Sequence, residues 1–483
     1  MRRKIGKAVA VLGAAVLLGA PAASTASAAT GPEPAGAGRQ VEWRDCGDGL
    51  QCGSVSVPVD WADRSSVRID LGLARLPARD QSRKKGVLLH NPGGPGPVIE
   101  YLPLMGDAFG ELTEWFDVVV FDPRGFGASG GVTCPEPGPF LLDWAAPDRA
   151  AYEGLAAANR AFAERCAAAL GPLRGKLNSW QVAHDMEAIR LALGQRRLNY
   201  YGNSYGTVFG QVYADLFGRN VGRMYLDSLL DHTSRDPYPW TVAKAAVSED
   251  NLHRFARWCD REPGCALHGR DPLAAWDRVV AAAERAPIPA PGASVPATVG
   301  LIMGQARVSD EEDWPDFALA VAEADAGDAS RFVPDLPPPP GAIGPDLARV
   351  MMCADFPYDT GYPAVRRMAD RLRATVAPRL GRVDAWYPAA THCAGLPRIG
   401  TYPPRPLGAR GLPPVLITSG SADHVTPPGH GRAVARQLPG ARYLPTAGGH
   451  ALYWSGNPCV RGHVHRYLLD GTMPPAGASC PAA

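Results

Sequence analysis

The sequence lacks a surplus of charge of either sign. Its 483 residues include 49 lysines and arginines against 48 aspartates and glutamates, which gives a formal net charge of +1. Nucleic acids and anionic membrane surfaces attract proteins chiefly through an excess of positive charge. The charge balance therefore gives no electrostatic reason for either partner, and we expect neither nucleic acid nor a membrane to bind the mature protein.

Long apolar runs are also missing. No stretch approaches the roughly 18 uninterrupted apolar residues from which a membrane-spanning helix is recognised. The longest, Ala8 to Ala20, follows the basic segment Met1 to Lys7 and precedes the small-residue site Ala26-Ser27-Ala28. That order is typical of a secretory signal peptide. We expect residues 1–28 to be removed on export and the mature protein to be secreted, with residues 29–40 as a flexible lead.

The cysteines include no Cys-x-x-Cys pair, the spacing most often seen in zinc sites. There are ten of them, and an even number in an exported protein favours disulfides over metal ligands. His392 beside Cys393 has no further ligands around it in the sequence. We therefore expect no metal and no cofactor. The simplest pairing joins neighbours along the chain: Cys46–Cys52, Cys134–Cys166, Cys259–Cys265, Cys353–Cys393 and Cys459–Cys480.

What the sequence does contain is a serine in a distinctive local context. A strand-like run from Leu198 leads into Gly202-Asn-Ser-Tyr-Gly206, and apolar residues then recur at helical spacing up to Phe217. Strand, tight turn and helix form the nucleophile elbow, which exposes the serine hydroxyl. Gly127 to Gly131 fits the same G-x-S-x-G pattern around Ser129, but no helical spacing follows it. We assign Ser204 as the nucleophile.

Strand and helix patterns alternate around this turn. Val87 to Leu89 and Val118 to Phe121 are continuous apolar runs, as in strands covered on both faces, whereas Val67 to Arg75 alternates like a half-buried antiparallel strand. Helical patterns at 151–170 and 180–193 come between these runs and the elbow strand. The sequence predicts an α/β protein with a mostly parallel sheet.

The pattern changes between residues 230 and 407. Strand signals disappear there, and helices, loops and a proline run at 334–345 replace them until a strand returns at 414–418. We expect residues 41–229 and 408–483 to form one α/β core, interrupted by an inserted, mainly helical cap at 230–407.

A serine hydroxyl needs a base to remove its proton, and the base needs a carboxylate to orient it. In the α/β-hydrolase fold the acid and then the histidine follow the serine along the chain. Asp423 lies in the loop just past the strand at 415–418, and His450 follows two glycines after the next strand. We assign His450 as general base and acid, and Asp423 as the orienting carboxylate, which predicts an α/β-hydrolase fold.

The tetrahedral intermediate of acyl transfer needs backbone N–H donors that form an oxyanion hole. One should be the N–H of Tyr205, directly after the nucleophile, and the other should come from the loop Pro92 to Gly96, where Gly94 fits best. A phosphate-binding role for this loop is disfavoured because its prolines lack the N–H groups that a phosphate requires.

Several motifs together resemble one family, the secreted tripeptidyl aminopeptidases of actinobacteria, which are relatives of the prolyl aminopeptidases. They are Asn91 to Gly96, Phe121 to Gly127, Tyr201 to Thr207, Asp423 to Pro427 and Gly449-His450. The resemblance covers nearly the whole mature chain. It implies an exopeptidase that releases short peptides or single residues from free N-termini, with a helical cap restricting access.

The resemblance leaves the substrate open. The family usually continues the first motif with Gly-Ser-Gly, whereas this chain has Pro97-Val-Ile-Glu100 beside the acyl site. An exopeptidase also needs carboxylates that hold a substrate ammonium group. The candidates in or near the cap are Glu100, Glu249, Asp250 and Asp355.

Two other functions use the same sequence features. A secreted serine esterase or amidase that acts on a small molecule or an acylated natural product would need the same triad, and the cap pocket would decide between them. A catalytically inactive fold used for binding is disfavoured by the complete set of Ser204, Asp423 and His450. We expect a monomer that acts on a peptide or a small amide or ester.

Overall fold

The computed structural model describes residues 40–135, 148–306, 310–333, 346–386, 393–396 and 400–482. The predicted signal peptide, the lead up to residue 39, the proline run at 334–345 and His392 lie outside these ranges. No helix among the described residues is long and apolar enough to span a bilayer.

A nine-stranded sheet forms the centre of the fold. Its order is β1-β2-β3-β5-β4-β6-β7-β8-β9. The first three strands are antiparallel to their neighbours, and the other six run parallel. The strands are β1 Arg44–Gly47, β2 Leu50–Asp60, β3 Asp63–Leu76, β4 Gly86–Asn91, β5 Phe116–Phe121, β6 Leu198–Asn203, β7 Val221–Asp227, β8 Leu416–Gly420 and β9 Arg442–Thr446. The predicted mostly parallel α/β-hydrolase sheet is confirmed.

The continuous apolar runs in β4 and β5 are buried as predicted. The run in β3 does not alternate between buried and exposed residues as predicted. Every residue of β5 is buried because neighbouring strands flank it and side chains cover both faces of the sheet. In β3, Val67 is 61 % exposed, while Leu71 to Ala74 are buried on both faces. The reason is that the first half of β3 pairs only with β2 in an exposed hairpin, and the strand joins β5 from Leu73 onward.

The helices that pack on the sheet include three that begin and end close to the predicted positions, at 149–170, 179–192 and 206–217. The helices on the sheet are α1 Leu102–Met105, α2 Arg149–Leu170, α3 Ser179–Ala192, α4 Gly206–Phe217, α12 Pro428–Ala435 and α13 Pro458–Asp470. Ser179 is the first residue of α3, and its N-cap is the residue before it. Asn178 caps the helix, because its side chain accepts a hydrogen bond from the N–H of Gln181.

Helices also fill the described parts of the predicted cap. They are α5 Pro237–Arg261, α6 Pro272–Arg285, α7 Val299–Gln305, α8 Trp314–Asp325, α9 Asp346–Asp355, α10 Tyr362–Thr375 and α11 Gly381–Trp386. Several of them share an apolar cluster separate from the one on the sheet, which includes Phe255, Trp276 and Phe317. A core of its own is what a separate domain requires. The bounds 230–407 stay a prediction.

Five disulfides join the cysteines in the predicted neighbour pairing. Their Cα atoms lie 4.8–5.7 Å apart, within the usual range for a disulfide. His463 lies close to Cys459 and Cys480, but these two sulfurs are bonded to each other, so the group offers no thiolate to a metal.

Candidate active site

The polar residues singled out in the sequence collect at one edge of the sheet. Ser204 follows β6, Asp423 follows β8 and His450 follows β9. These strands run parallel, so their carboxyl ends lie on the same edge. Open α/β sheets bind their ligands in the crevice at this edge. The fold thus brings three residues to one edge of the sheet, although the first and the last of them, Ser204 and His450, are 246 positions apart in the sequence.

Ser204 occupies a strained turn. Its φ is +52°, a left-handed conformation that costs energy for a residue with a side chain. Its N–H donates to the carbonyl of Asp227, 3.1 Å away, which holds the turn against β7. A Cβ on Gly206 would lie 2.1 Å from the carbonyl oxygen of Asn91, so only glycine fits there. Close packing therefore enforces the elbow that the G-x-S-x-G pattern predicts.

Asp423 and His450 are in direct contact. Nδ1 of His450 lies 2.9 Å from Oδ2 of Asp423. The carboxylate is fully buried, and its Oδ1 accepts the N–H groups of Val425 and Thr426 at 2.9 and 2.8 Å. The Thr426 hydroxyl donates to Oδ2. A carboxylate surrounded by donors orients the imidazole so that its other nitrogen faces away from the acid.

Electrostatics favour a charged pair at this contact. Burial works to raise the pKa of Asp423, but the charge of His450 and the hydrogen bonds from His450 and Thr426 outweigh it and lower the pKa to about 2. Burial opposes charge on His450 as well, yet the nearby Asp423 raises the pKa of the imidazole above its ordinary value. The site therefore holds a histidine that accepts a proton readily.

The loop after β4 is pressed against the residue that follows Ser204. A Cβ on Gly93 would lie 2.5 Å from the backbone nitrogen of Tyr205. The N–H of Gly93 donates to Oδ1 of Asn91, whereas no acceptor within the described residues takes the N–H of Gly94 or of Tyr205. Gly94 is exposed and has a φ of +105°. Tyr205 and Gly94 stay the two predicted donors of an oxyanion hole, and the N–H groups of both are available to a ligand.

Asp122, which sequence reasoning did not single out, holds the unusual segment Pro97 to Glu100. One oxygen of its buried carboxylate accepts the N–H groups of Val98 and Ile99, and the other accepts the N–H of Ala128. Its place directly after β5, inside the Phe121-Asp-Pro-Arg motif, was the available signal. The segment Pro97 to Glu100 is therefore anchored through the backbone of Val98 and Ile99, and the side chain of Val98 is buried as well.

Ser129, the centre of the second G-x-S-x-G match, is fully buried. Its hydroxyl donates to the carbonyl of Asp122 at 2.6 Å and accepts the N–H of Gly72 at 2.9 Å. A serine used in this way ties its own loop to β3 and presents no hydroxyl to a substrate.

Two of the four carboxylates proposed for substrate binding are engaged within the protein. Asp355 is buried and accepts the hydroxyl of Tyr205 at 2.6 Å, together with the N–H and hydroxyl of Ser179. Glu249 is buried and accepts the N–H groups of Arg379 and Leu380. Their positions in the sequence of the cap did not reveal that both side chains point inward. Neither fits the role of holding a substrate ammonium group.

The other two candidates are exposed. Asp250 faces solvent on α5, with Arg257 4.0 Å away. Glu100 lies in a single 3₁₀ turn at 99–101, just past the loop that carries Gly94, and its charge adds to burial in raising the pKa of Tyr101. Of the four candidate carboxylates, only Glu100 lies in the segment that directly continues the loop of Gly94.

Residues of the predicted cap contact the loops of Asp423 and His450, and sequence reasoning did not single these residues out. Lys244 and Asn251 on α5 donate to the carbonyls of Val425 and Ala422, on either side of Asp423, at 2.8 Å each. Asp310, just before α8, lies so close to the histidine loop that a Cβ on Gly449 would come within 2.4 Å of its Oδ1. These contacts join segments that are far apart in the sequence, so no local sequence pattern indicates Lys244, Asn251 or Asp310.

Comparison with known proteins agrees with this geometry. The family described as "alpha/beta hydrolase fold" matches residues 86–268, and the family described as "TAP-like protein" matches residues 377–480. The chain is similar to a protein named tripeptidyl aminopeptidase from Streptomyces lividans, with 29 % identity over 91 % of this chain and 86 % of the relative.

Two mycobacterial proteins are similar over a comparable length. Serine protease Hip1 of Mycobacterium tuberculosis is 30 % identical over 92 % of this chain and 91 % of the relative. A protein named carboxylesterase B, from the same species, is 29 % identical over 99 % of this chain and 98 % of the relative.

Proposed function

The chain belongs to the tripeptidyl aminopeptidase-like serine hydrolases of the α/β-hydrolase fold, and from this premise we propose that it is a secreted exopeptidase that cleaves peptides near a free N-terminus. The observation that carries the proposal is the 2.9 Å contact between His450 and Asp423 at the sheet edge that also bears the strained Ser204. Relatives named as peptidases along almost the full length support the peptide as substrate.

The proposed mechanism gives each of these residues one role. Nε2 of His450 removes the proton of Ser204 as the hydroxyl oxygen attacks the scissile carbonyl, and Asp423 stabilises the resulting imidazolium through Nδ1. The N–H groups of Tyr205 and Gly94 receive the oxyanion. His450 then gives its proton to the leaving amine, which produces an acyl-enzyme on Ser204. Water activated by the same histidine releases the acyl product and restores the serine.

Export is supported by two features. The five disulfides belong to proteins of oxidising compartments, and the first 28 residues have the order of a signal peptide. Mass spectrometry of protein recovered from the culture medium tests this. A mature N-terminus near residue 29 is expected, and retention of the intact N-terminus inside cells would contradict it.

We place the substrate ammonium group beside Asp310. This carboxylate approaches the backbone of Gly449, the residue before His450, and it is exposed. A negative charge at that position attracts an α-ammonium whose peptide bond reaches Ser204. Glu249 and Asp355 are excluded from the role because each is buried and accepts hydrogen bonds from the protein itself.

The test compares a free and an N-acetylated tripeptide amide of the same sequence. We expect wild-type kcat/KM to be at least about tenfold higher for the free peptide, since a lost charge contact costs about 1.4 kcal/mol or more. Asp310→Asn should reduce this preference, mainly through KM. Glu311→Gln is the matched control, because Glu311 is the next carboxylate along the chain and lies 3.8 Å from Arg254. Equal cleavage of both peptides by the wild type would contradict the exopeptidase proposal.

A second candidate function is a secreted esterase or amidase for small molecules. It is favoured by the similarity to the protein named carboxylesterase B and by the segment Pro97 to Glu100, which alters the loop beside the acyl site. Comparing kcat/KM for a short-chain p-nitrophenyl ester and for the free tripeptide amide separates the two. Rapid ester hydrolysis without any peptide cleavage would favour this second function.

A further inference from the structure

A second buried carboxylate lies beneath the triad. Asp227 is the last residue of β7 and has no exposed surface. Its Oδ2 accepts the N–H of Tyr453 at 2.9 Å, and its Oδ1 accepts the hydroxyl of Thr418 at 2.8 Å. Tyr453 lies three residues past His450, and Thr418 lies on β8, which leads to Asp423. The side chain of Asp227 therefore connects the strand before the acid with the loop that carries the base.

The backbone of Asp227 also contacts the turn of Ser204, the third residue of the proposed triad. Its carbonyl accepts the N–H of Ser204 at 3.1 Å and the side-chain amide of Asn203 at 3.3 Å. The next residue, Ser228, has a φ of +52°, and its hydroxyl accepts the N–H of Ala451 at 2.8 Å. Ala451 directly follows His450 and also has a positive φ, +61°. Two adjacent residues thus hold both the nucleophile turn and the histidine loop.

The groups around Asp227 are donors. Besides Tyr453 and Thr418, the hydroxyl of Tyr201 points at Oδ2 from 3.4 Å. A carboxylate that only accepts hydrogen bonds is matched to its ionised form, since a protonated one would need an acceptor. Burial raises the pKa of Asp227 and the charge of Asp423 adds to that rise, while the hydrogen bonds from Tyr453 and Thr418 and the charge of His450 partly offset it.

We propose that Asp227 is a positioning residue for the reaction: its ionised carboxylate supports the protonated form of His450, and with Ser228 it keeps the histidine loop in register with Ser204. The inference rests on the proposed triad. It gives His450 two negative neighbours, Asp423 in direct contact and Asp227 beneath it.

Two other charged side chains near His450 stay in place when Asp227 is replaced. Lys244 on α5 acts on the imidazole with the opposite sign, and Asp310 approaches its loop from the cap. Neither is altered by a change at Asp227. Asp231 provides a matched control: it is a buried carboxylate four residues further on, but it accepts the N–H and hydroxyl of Thr233 instead of a group on the histidine loop.

The experiment measures the rate at which a fluorophosphonate labels the full-length protein as a function of pH. In this step the oxygen of Ser204 bonds to phosphorus, fluoride leaves, and the serine proton passes to His450 and then to solvent. The rate therefore follows the deprotonated fraction of His450 and needs no peptide substrate. Unlabelled wild-type protein would overturn the proposed triad itself, whereas the inference about Asp227 is judged only on labelled protein.

Asp227→Asn should move the acidic midpoint of labelling to lower pH by about 0.5 to 1 unit, because the imidazolium loses a negative neighbour. The plateau rate should fall about tenfold or more. The asparagine side chain has only one acceptor oxygen, so either Thr418 on β8 or Tyr453 on the histidine loop loses its acceptor. Ser228→Ala should lower the plateau and leave the midpoint unchanged. Asp231→Asn should change neither. An unchanged midpoint in folded Asp227→Asn, or an equal shift in Asp231→Asn, would overturn the inference.

Thr418→Ala keeps the inference testable should Asp227→Asn fail to fold. Removal of this donor makes Asp227 harder to ionise, so the midpoint should move in the same direction by a smaller amount. A shift toward higher pH, or none, would contradict the proposed role.

Discussion

The hydroxyl of Tyr205 donates a 2.6 Å hydrogen bond to Oδ2 of Asp355, at the end of cap helix α9. Tyr205 directly follows Ser204, and its N–H is one of the two proposed oxyanion donors. The same carboxylate accepts the N–H and hydroxyl of Ser179 at the start of α3. One buried side chain therefore ties the cap, a helix of the core and the nucleophile turn together.

This contact predicts a pH dependence of stability. Burial raises the pKa of Asp355 to about 6, and the hydrogen bonds from Ser179 and Tyr205 only partly offset it. A carboxyl whose pKa is higher in the folded state contributes stability that is full below its ordinary pKa, about 3.8, and is lost as the pH rises through about 6.

Asp355→Asn removes that titration. We therefore expect the wild type to lose free energy of unfolding relative to this variant between pH 4 and pH 7. Urea denaturation of both proteins across that range measures the difference. A difference that stays constant with pH, or that changes in favour of the wild type, would contradict the raised pKa.

The loop that faces Tyr205 predicts a contrast between two glycines. A Cβ on Gly93 would lie 2.5 Å from the backbone nitrogen of Tyr205, and the φ of Gly93 is +102°. Gly93→Ala should disturb the oxyanion hole and reduce kcat by about 10²–10³, the usual cost of losing one oxyanion donor. Gly96→Ala is the matched control in the same loop, since a Cβ there meets nothing within 4 Å. Similar kcat values for both variants would show that this loop does not approach the reacting atoms.

The acid of the proposed triad predicts a loss of rate with the fold retained. Asp423→Asn should lower kcat/KM by about 10³–10⁴, because an amide no longer selects the imidazole tautomer that accepts the serine proton. The acidic limb of its pH profile should move to lower pH, because Asp423 raises the pKa of His450. Steady-state assays from pH 5 to 8, with circular dichroism as a check on folding, measure both effects. A profile that is flat over this range in the wild type would argue against histidine as the base.

The residues predicted from the sequence share one property: a local pattern marks each of them. The glycines around Ser204 and before His450 and the strand before Asp423 lie within a few residues of the proposed functional group, so the chain order of the α/β-hydrolase fold is sufficient to propose these residues. The family resemblance, the sheet and the membership of the serine hydrolases could be predicted for the same reason, whereas the neighbour pairing of the cysteines is only the simplest hypothesis that the sequence offers.

The residues missed by sequence reasoning act through partners far away in the chain. Asp227 contacts Tyr453 across 226 positions, and the roles of Asp122 and Asp310 depend on which loops fold against them. Glu249 and Asp355 show the converse: their positions in the cap suggested exposed carboxylates, but tertiary packing turned both inward. Burial of a charged side chain is decided by its partners, and one sequence does not reveal them.

The most direct test of the account is the site of covalent labelling. The protein is treated with a fluorophosphonate and digested, and the modified residue is identified by tandem mass spectrometry, with Ser204→Ala as the control. We predict one adduct per chain on Ser204 and none on the variant. An adduct on Ser129, or labelling of Ser204→Ala equal to that of the wild type, would contradict the assignment of the nucleophile.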